Sequence, residues 1–149
     1  MGDLTINFSR KEFACQCGCG FDTIDFKLIE ALQACVTALS YKYKKACIAI
    51  VSGGNRCVRH NTALRELYKA TGGTKGANTA LTSQHIYGRA ADFKIYLKEE
   101  KKGGKFQIEP EEIAVWFEEN RSEFSIGRYN NRTHVDSRTN GPARWDTRS

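Results

Sequence analysis

Ser83-Gln84-His85-Ile86-Tyr87-Gly88-Arg89-Ala90-Ala91-Asp92-Phe93-Lys94-Ile95-Tyr96-Leu97 is the stretch in which a loop turns into a strand. From Ala90 to Leu97 the pattern alternates, with Phe93 and Ile95 on one face and Asp92 and Lys94 on the other. Gly88 permits a sharp bend just ahead of the strand, so His85, at the end of the loop, can face back across it. Ala90 and Ala91 are small enough for close backbone approach at that point. An acid at position 92 of a β-forming run costs free energy unless it is paired or bound to a metal.

Around this stretch the elements are mixed. Residues 46–51, Ala-Cys-Ile-Ala-Ile-Val, form an apolar run with β-branched members and read as a buried strand, with Ser52-Gly53-Gly54-Asn55 as the turn after it. Ile126 to Tyr129 and Thr133 to Arg138 read as a hairpin joined at Asn130-Asn131-Arg132. Leu28, Leu32, Cys35, Val36 and Leu39 recur at helical spacing and predict a helix from Asp25 to Tyr41. A further helix is expected from Val58 to Ala70, ended by Gly72-Gly73, and another from Pro110 to Asn120 with Ile113, Trp116 and Phe117 on its buried face. Ser9-Arg10-Lys11-Glu12 is a capping box, and Phe8 and Phe13 stand where a hydrophobic staple would, so a short helix is expected there, stopping at the glycines near Cys19. Residues 73–84 and 98–105 read as loops. No regular βαβ repeat, internal repeat or linker is visible. The expected architecture is α+β, one domain over residues 1–149, with a small antiparallel sheet packed with helices.

Composition limits the function classes. A chain of 149 residues with 40% hydrophobic and 27% charged residues is that of a folded globular protein. The net charge of +6 and pI of about 9.1 favour polyanionic partners, the anionic bacterial wall among them. The basic residues are scattered, and the densest run, Lys98-Glu99-Glu100-Lys101-Lys102, is mixed in sign, which argues against nucleic acid as a partner. No apolar run approaches the ~20 residues of a membrane span. Met1-Gly2-Asp3-Leu4 has neither the basic start nor the apolar stretch of a signal peptide. Synthesis in the cytoplasm is expected, with release or delivery needed for any substrate outside; the expected state is a monomer.

Six cysteines, Cys15, Cys17, Cys19, Cys35, Cys47 and Cys57, are read as reduced thiols, with a disulfide from the first three to Cys57 as the alternative after export. Cys35 and Cys47 sit in apolar segments as core fillers. The alternating Cys15-Gln16-Cys17-Gly18-Cys19 lacks the paired C-x2-C spacing of a zinc knuckle. Cys57 and His60 are too close in sequence for their pairing to carry weight as a thiol nucleophile and base, and His60 reads as a helix-surface residue.

The chain has three histidines, and two lie in segments with an aspartate. His134 and Asp136 are two apart on an expected strand, so both point to one side. His85, Asp92 and His134 offer two imidazoles and a carboxylate, donors zinc accepts, and three protein ligands leave a fourth position open for chemistry. From spacing alone, a hydrogen-bonded structural histidine is the commoner reading.

The ordered set Ser83-x-His85-x-x-Gly88-x-Ala90-x-Asp92, followed by His134-x-Asp136 on a strand, resembles the M15 zinc peptidases, which include D-Ala-D-Ala carboxypeptidases and phage L-alanyl-D-glutamate endopeptidases. Phe8-Ser9-Arg10-Lys11-Glu12-Phe13 with the cysteine cluster, Ser52-Gly53 with Arg56-Cys57 and Asn61, and Ile126-Gly127-Arg128-Tyr129 are similar to the small phage- and prophage-associated branch. The resemblance implies a hedgehog/DD-peptidase-like fold with a zinc site at the sheet, one zinc per chain held by His85, Asp92 and His134, and a stem peptide of peptidoglycan as substrate, cut by a carboxypeptidase or an endolysin. It implies that Arg56 holds the substrate carbonyl or carboxylate and stabilises oxyanion charge. Ser83 is left to orient His85, contact substrate or cap the turn. Two departures stand out. Ser52-Gly53-Gly54-Asn55-Arg56 carries one residue more than the usual Ser-Gly-x-Arg, and Asn131 occupies the place, three before the last histidine, where many members carry the catalytic carboxylate. Asp136 is then the candidate base, with a supporting carboxylate beside a ligand as the alternative. A non-catalytic zinc-containing binding module, similar to the hedgehog signalling domain, is the rival reading.

Overall fold

The structure is a computed structural model that describes residues 2–70, 83–99 and 105–149. Among these, three helices and a six-stranded sheet make up an α+β single domain. Helix α1 spans Phe26–Tyr43, α2 Val58–Ala70 and α3 Pro110–Asn120. The strands are β1 Cys47–Gly53, β2 Ala90–Lys98, β3 Lys105–Gln107, β4 Ser125–Arg128, β5 Thr133–Asp136 and β6 Arg144–Asp146. Gly72-Gly73, assigned to end α2, most of the loop expected over 73–84, and residues 100–104 lie outside the described residues.

The helices form where their sequence signals stand. Asp25 caps α1 by accepting from the Lys27 amide at 3.1 Å, and Leu28, Leu32, Cys35, Val36 and Leu39 are buried as their spacing requires. Pro110 opens α3 at its first position, followed by Glu111 and Glu112, whose charge suits the positive end of the helix dipole. Ile113 and Phe117 enter the core, while Trp116 is only partly buried.

Strand order is β1-β2-β5-β4-β6, with β3 pairing the far half of β2. Neighbours run antiparallel except β4 and β6, so the sheet is mixed rather than purely antiparallel. β3 and β6 are too short and too polar to show a period in sequence. One face of the sheet carries Ala91, Phe93, Ile95, Leu97, Ile126 and Val135 into the core against α1 and α3. Phe117 sits at its centre, edge-on to both Phe93 and Phe124. Among the described residues no helix is long and apolar enough to cross a membrane.

Two expectations change. The capping box forms, with Glu12 accepting from the Ser9 amide at 2.6 Å, yet it opens only one 3-10 turn, Arg10–Phe13. Phe8 and Phe13 do meet, ring centroids 5.9 Å apart, and both are fully buried. After that turn the chain reverses: Gly18 and Gly20 take positive φ and the Cys15 amide donates to the Phe21 carbonyl, so no helix can continue. The run at 46–51 is a strand, as expected, but only half of it is buried. Cys47 and Ala49 face the core, whereas Ile48 and Ile50 lie on the open face of an edge strand.

Candidate metal centre

β2 places Phe93 in the core, and the period of two therefore turns Asp92 to the opposite face. β5 does the same with Val135, turning His134 and Asp136 to that face. Register then aligns the two strands so that Asp92 stands opposite His134 and Ala90 opposite Asp136. The row extends across the whole sheet: Gly53 pairs Asp92, His134 pairs Gly127, and Gly127 pairs Trp145. Both glycines are there for space. A Cβ at Gly53 would sit 3.1 Å from the Asp92 Oδ2, and one at Gly127 would fall 2.4 Å from the Trp145 ring. The indole fills that gap and lies against His134, ring centroids 4.9 Å apart.

His85 comes from outside the sheet, on a 3-10 turn, Gln84–Tyr87. Ser83 starts the turn by accepting from the His85 amide at 3.3 Å, and Gly88 ends it at φ 69°, with the Thr23 carbonyl so close that a side chain would not fit. His85 Nδ1 donates to the Gly54 carbonyl at 2.6 Å, which fixes the tautomer and leaves Nε2 with its lone pair toward Asp92, 3.5 Å from Oδ2. His134 Nδ1 lies 2.8 Å from Asp92 Oδ1. The donor atoms of His85, Asp92 and His134 all lie within 4.8 Å of one another. Two imidazoles and one carboxylate converging at that spacing, one imidazole already braced through its other nitrogen, fit a zinc ion. The histidines are buried and Asp92 is 20% exposed, so the centre opens to solvent at the carboxylate.

On the other side of the His134 ring, Nε2 meets Asp136 Oδ2 at 2.8 Å. Asp136 is fully buried and also accepts from Arg138, from Nε at 2.8 Å, Nη2 at 2.7 Å and the backbone amide at 3.1 Å. Burial alone would depress the His134 pKa, but the carboxylates of Asp136 and Asp92 on its two nitrogens outweigh that and hold it at about 8. Burial would push Asp136 up; its bonds to Arg138 and His134 instead hold it well below the usual carboxylate range. Asp92 is likewise held low, the two imidazoles overriding its desolvation. His85 goes the other way, because desolvation outweighs its contact with Asp92, and it is the readily neutral member.

Arg56 reaches the same place along the chain from β1. Its amide donates to the His85 carbonyl at 3.1 Å, and its Nη2 donates to the Ser83 hydroxyl at 3.2 Å. Ser83 thus links Arg56 to the turn that carries His85. Asn131 points elsewhere: its carbonyl accepts from Gln107 at 3.0 Å and the residue is exposed. His60 is turned away, with Nδ1 3.4 Å from the Cys15 Sγ. Three residues that the sequence reading passed over stand at the centre. Arg132, stacked on Tyr129 at 4.0 Å, brings Nε to 4.0 Å from Asp92. Arg138 clamps Asp136, and Trp145 covers His134. A hint for Arg138 was its position two after a buried acid; nothing in the short β6 segment pointed to Trp145.

No curated protein and no solved structure matches the chain. A family profile does: the one described as peptidase M15 matches residues 6–136, from just before the Phe8 staple to Asp136 itself. That span holds every donor of the centre, Arg56, Ser83 and the two glycines that make room at Asp92 and Trp145, so the chain belongs to the peptidase M15 family.

Proposed function

We propose that this peptidase is zinc-dependent and hydrolyses peptide bonds in the stem peptides of bacterial peptidoglycan, with zinc held by His85, Asp92 and His134. The observation that carries the reading is the convergence of these three donors within 4.8 Å, with His85 braced by the Gly54 carbonyl. When bound, zinc supplies Lewis-acid polarisation of the scissile carbonyl and lowers the pKa of the attacking water. Arg56 is assigned to the substrate carbonyl or carboxylate, where its guanidinium would also meet developing oxyanion charge. Ser83 holds Arg56 and the His85 turn in one arrangement. Asp136 is assigned to orienting His134: both of its oxygens are engaged by Arg138 and His134, which suits a carboxylate that fixes a ligand's ring and raises its basicity. The net charge of +6 suits the anionic wall, and the sequence resembles the small phage- and prophage-associated branch over nearly the whole chain, which supports that substrate. The catalytic unit is the single domain over 1–149, acting as a monomer after release or delivery to the wall.

A second reading, a zinc-containing binding module without turnover, is favoured by the same saturated Asp136 together with Asn131, which cannot act as a base. Zymography on purified cell walls separates the two. A cleared zone that vanishes with chelator and returns with zinc is expected; wall binding without clearing would establish the binding module. Mass spectrometry of digested muropeptides then identifies the bond as carboxypeptidase or endopeptidase type.

The pKa of about 8 at His134 has a pH signature. In the metal-free protein this imidazole keeps its second proton below pH 8, and zinc must displace it. Zinc affinity should therefore rise by about tenfold per pH unit up to pH 8 and flatten above it, with a proton released on binding. Metal-free stability should run oppositely. The raised pKa contributes stability that is complete below the unfolded value of about 6.5 and is lost as pH rises through 8. Calorimetric titration in buffers of different ionisation heat reads the proton; an affinity that is flat between pH 6 and 8 would contradict the charged His134.

A further inference from the structure

The mechanism uses none of the six cysteines, and four of them are gathered in one place. Sγ atoms of Cys15, Cys17, Cys19 and Cys57 all lie within 4.8 Å of one another. Cys15 and Cys17 are 3.4 Å apart and Cys17 and Cys57 are 3.7 Å apart. Four thiolates around one zinc at 2.3 Å would be about 3.8 Å from each other, since that is the edge of the tetrahedron. A disulfide would need about 2.0 Å, and all six cysteines are free. The packing is thus that of ligands around a common centre rather than of bonded pairs.

The backbone is arranged for such a centre. Gly18 and Gly20 have φ of 82° and 88°, which lets the chain coil tightly enough for three alternate cysteines to point one way, in place of the usual C-x2-C pairing. Amides aim at the sulfurs: the Cys57 amide lies 3.4 Å from the Cys15 Sγ, and the His60 amide 3.3 Å from the Cys57 Sγ. Such N–H groups stabilise thiolate charge. His60 Nδ1, 3.4 Å from the Cys15 Sγ, adds a side-chain donor, which accounts for the histidine left over from the catalytic set.

We propose that Cys15, Cys17, Cys19 and Cys57 form a second metal site, a closed tetrathiolate centre for zinc whose role is structural. Soft thiolate donors in a set of four select zinc or iron over hard cations, and the absence of an open position suits structure rather than catalysis. The site ties the 15–19 loop to Cys57, the residue after Arg56. Between this tie and β1 lie Gly54, whose carbonyl holds His85, and Asn55, whose amide donates to the Phe13 carbonyl at 2.8 Å. The extra residue in Ser52-Gly53-Gly54-Asn55-Arg56 is therefore spanned at both ends, and the metal at the cysteines fixes the loop that presents Arg56 and braces His85.

Elemental analysis of the full chain, purified under reductant and equilibrated with zinc before free metal is removed, tests the site without relying on activity. Two equivalents of zinc are expected. His85→Ala should keep one, the double variant Cys17→Ser/Cys19→Ser should keep one, and their combination none. Cobalt substitution of His85→Ala should give the intense thiolate-to-metal charge-transfer band, and its four clustered thiols should resist alkylation until chelator is added. Should the cysteine variant not fold, the metal count, cobalt spectrum and thiol protection of the unaltered protein still decide. Zinc retained in His85→Ala but lost with the cysteines would uphold this site even if the catalytic reading failed. One equivalent or less in the unaltered protein, none in His85→Ala, no charge-transfer band and freely alkylated thiols would overturn it, as would iron in place of zinc.

Discussion

His85→Ala should lower zinc content by one equivalent and reduce stem-peptide turnover by at least about 10³-fold. The imidazole is one of three protein donors, and its Nε2 is already aimed inward because Nδ1 is committed to the Gly54 carbonyl. Loss of the metal removes a contribution of several kcal/mol to the transition state, and each ~1.4 kcal/mol is a factor of ten. The fold should survive, because the lost side-chain hydrogen bond is worth only about 1 kcal/mol and the 3-10 turn is still set by Ser83 and Gly88. Elemental analysis beside circular dichroism checks both halves. Equal zinc in the two proteins would remove His85 from the ligand set; a normal rate with less zinc would detach the metal from catalysis.

Asp136→Asn discriminates between the two roles open to this residue. As the brace of His134, Asp136 fixes which nitrogen of the ring faces Asp92, and its replacement should weaken zinc by about 10–100-fold, with the rate recovered at saturating metal. As a general base, the same change should leave zinc bound and slow turnover by roughly 10²–10⁴ at every zinc concentration. The first outcome is expected, because the carboxylate is fully buried and both oxygens already accept from Arg138. Turnover measured against added zinc reads the difference, and a rate that stays low at saturation would return the proton-transfer role to Asp136.

Much of the centre was legible because its residues sit in segments with a clear period. Asp92 and Lys94 alternate with Phe93 and Ile95, so the face of the acid follows from the core, and His134 and Asp136 follow from Val135 in the same way. α1 and α3 were legible for the same reason, their buried positions being spaced for a helix. What sequence could not give was pairing across distance. That Asp92 stands opposite His134, and that Trp145 reaches back over it from a three-residue strand, depends on register and on the room left at Gly127. The 3-10 turn at Arg10–Phe13 misled because a capping box describes only how a helix begins; the glycine-rich reversal after it decides how far it runs. The cysteines misled differently: spacing within one segment failed the knuckle pattern, and the fourth sulfur comes from Cys57, just ahead of α2.

The row Gly53, Asp92, His134, Gly127 and Trp145 also bears on how faithfully the chain assembles. β4 and β5 are four residues each and carry little apolar surface with which to choose a pairing. A slip of one residue between β2 and β5 would turn His134 and Asp136 into the core, bring Val135 out, and separate the donors. Only the correctly paired sheet would bind zinc through this set, so the ion would act as a proofreader of folding, drawing the population toward the one register in which the site exists.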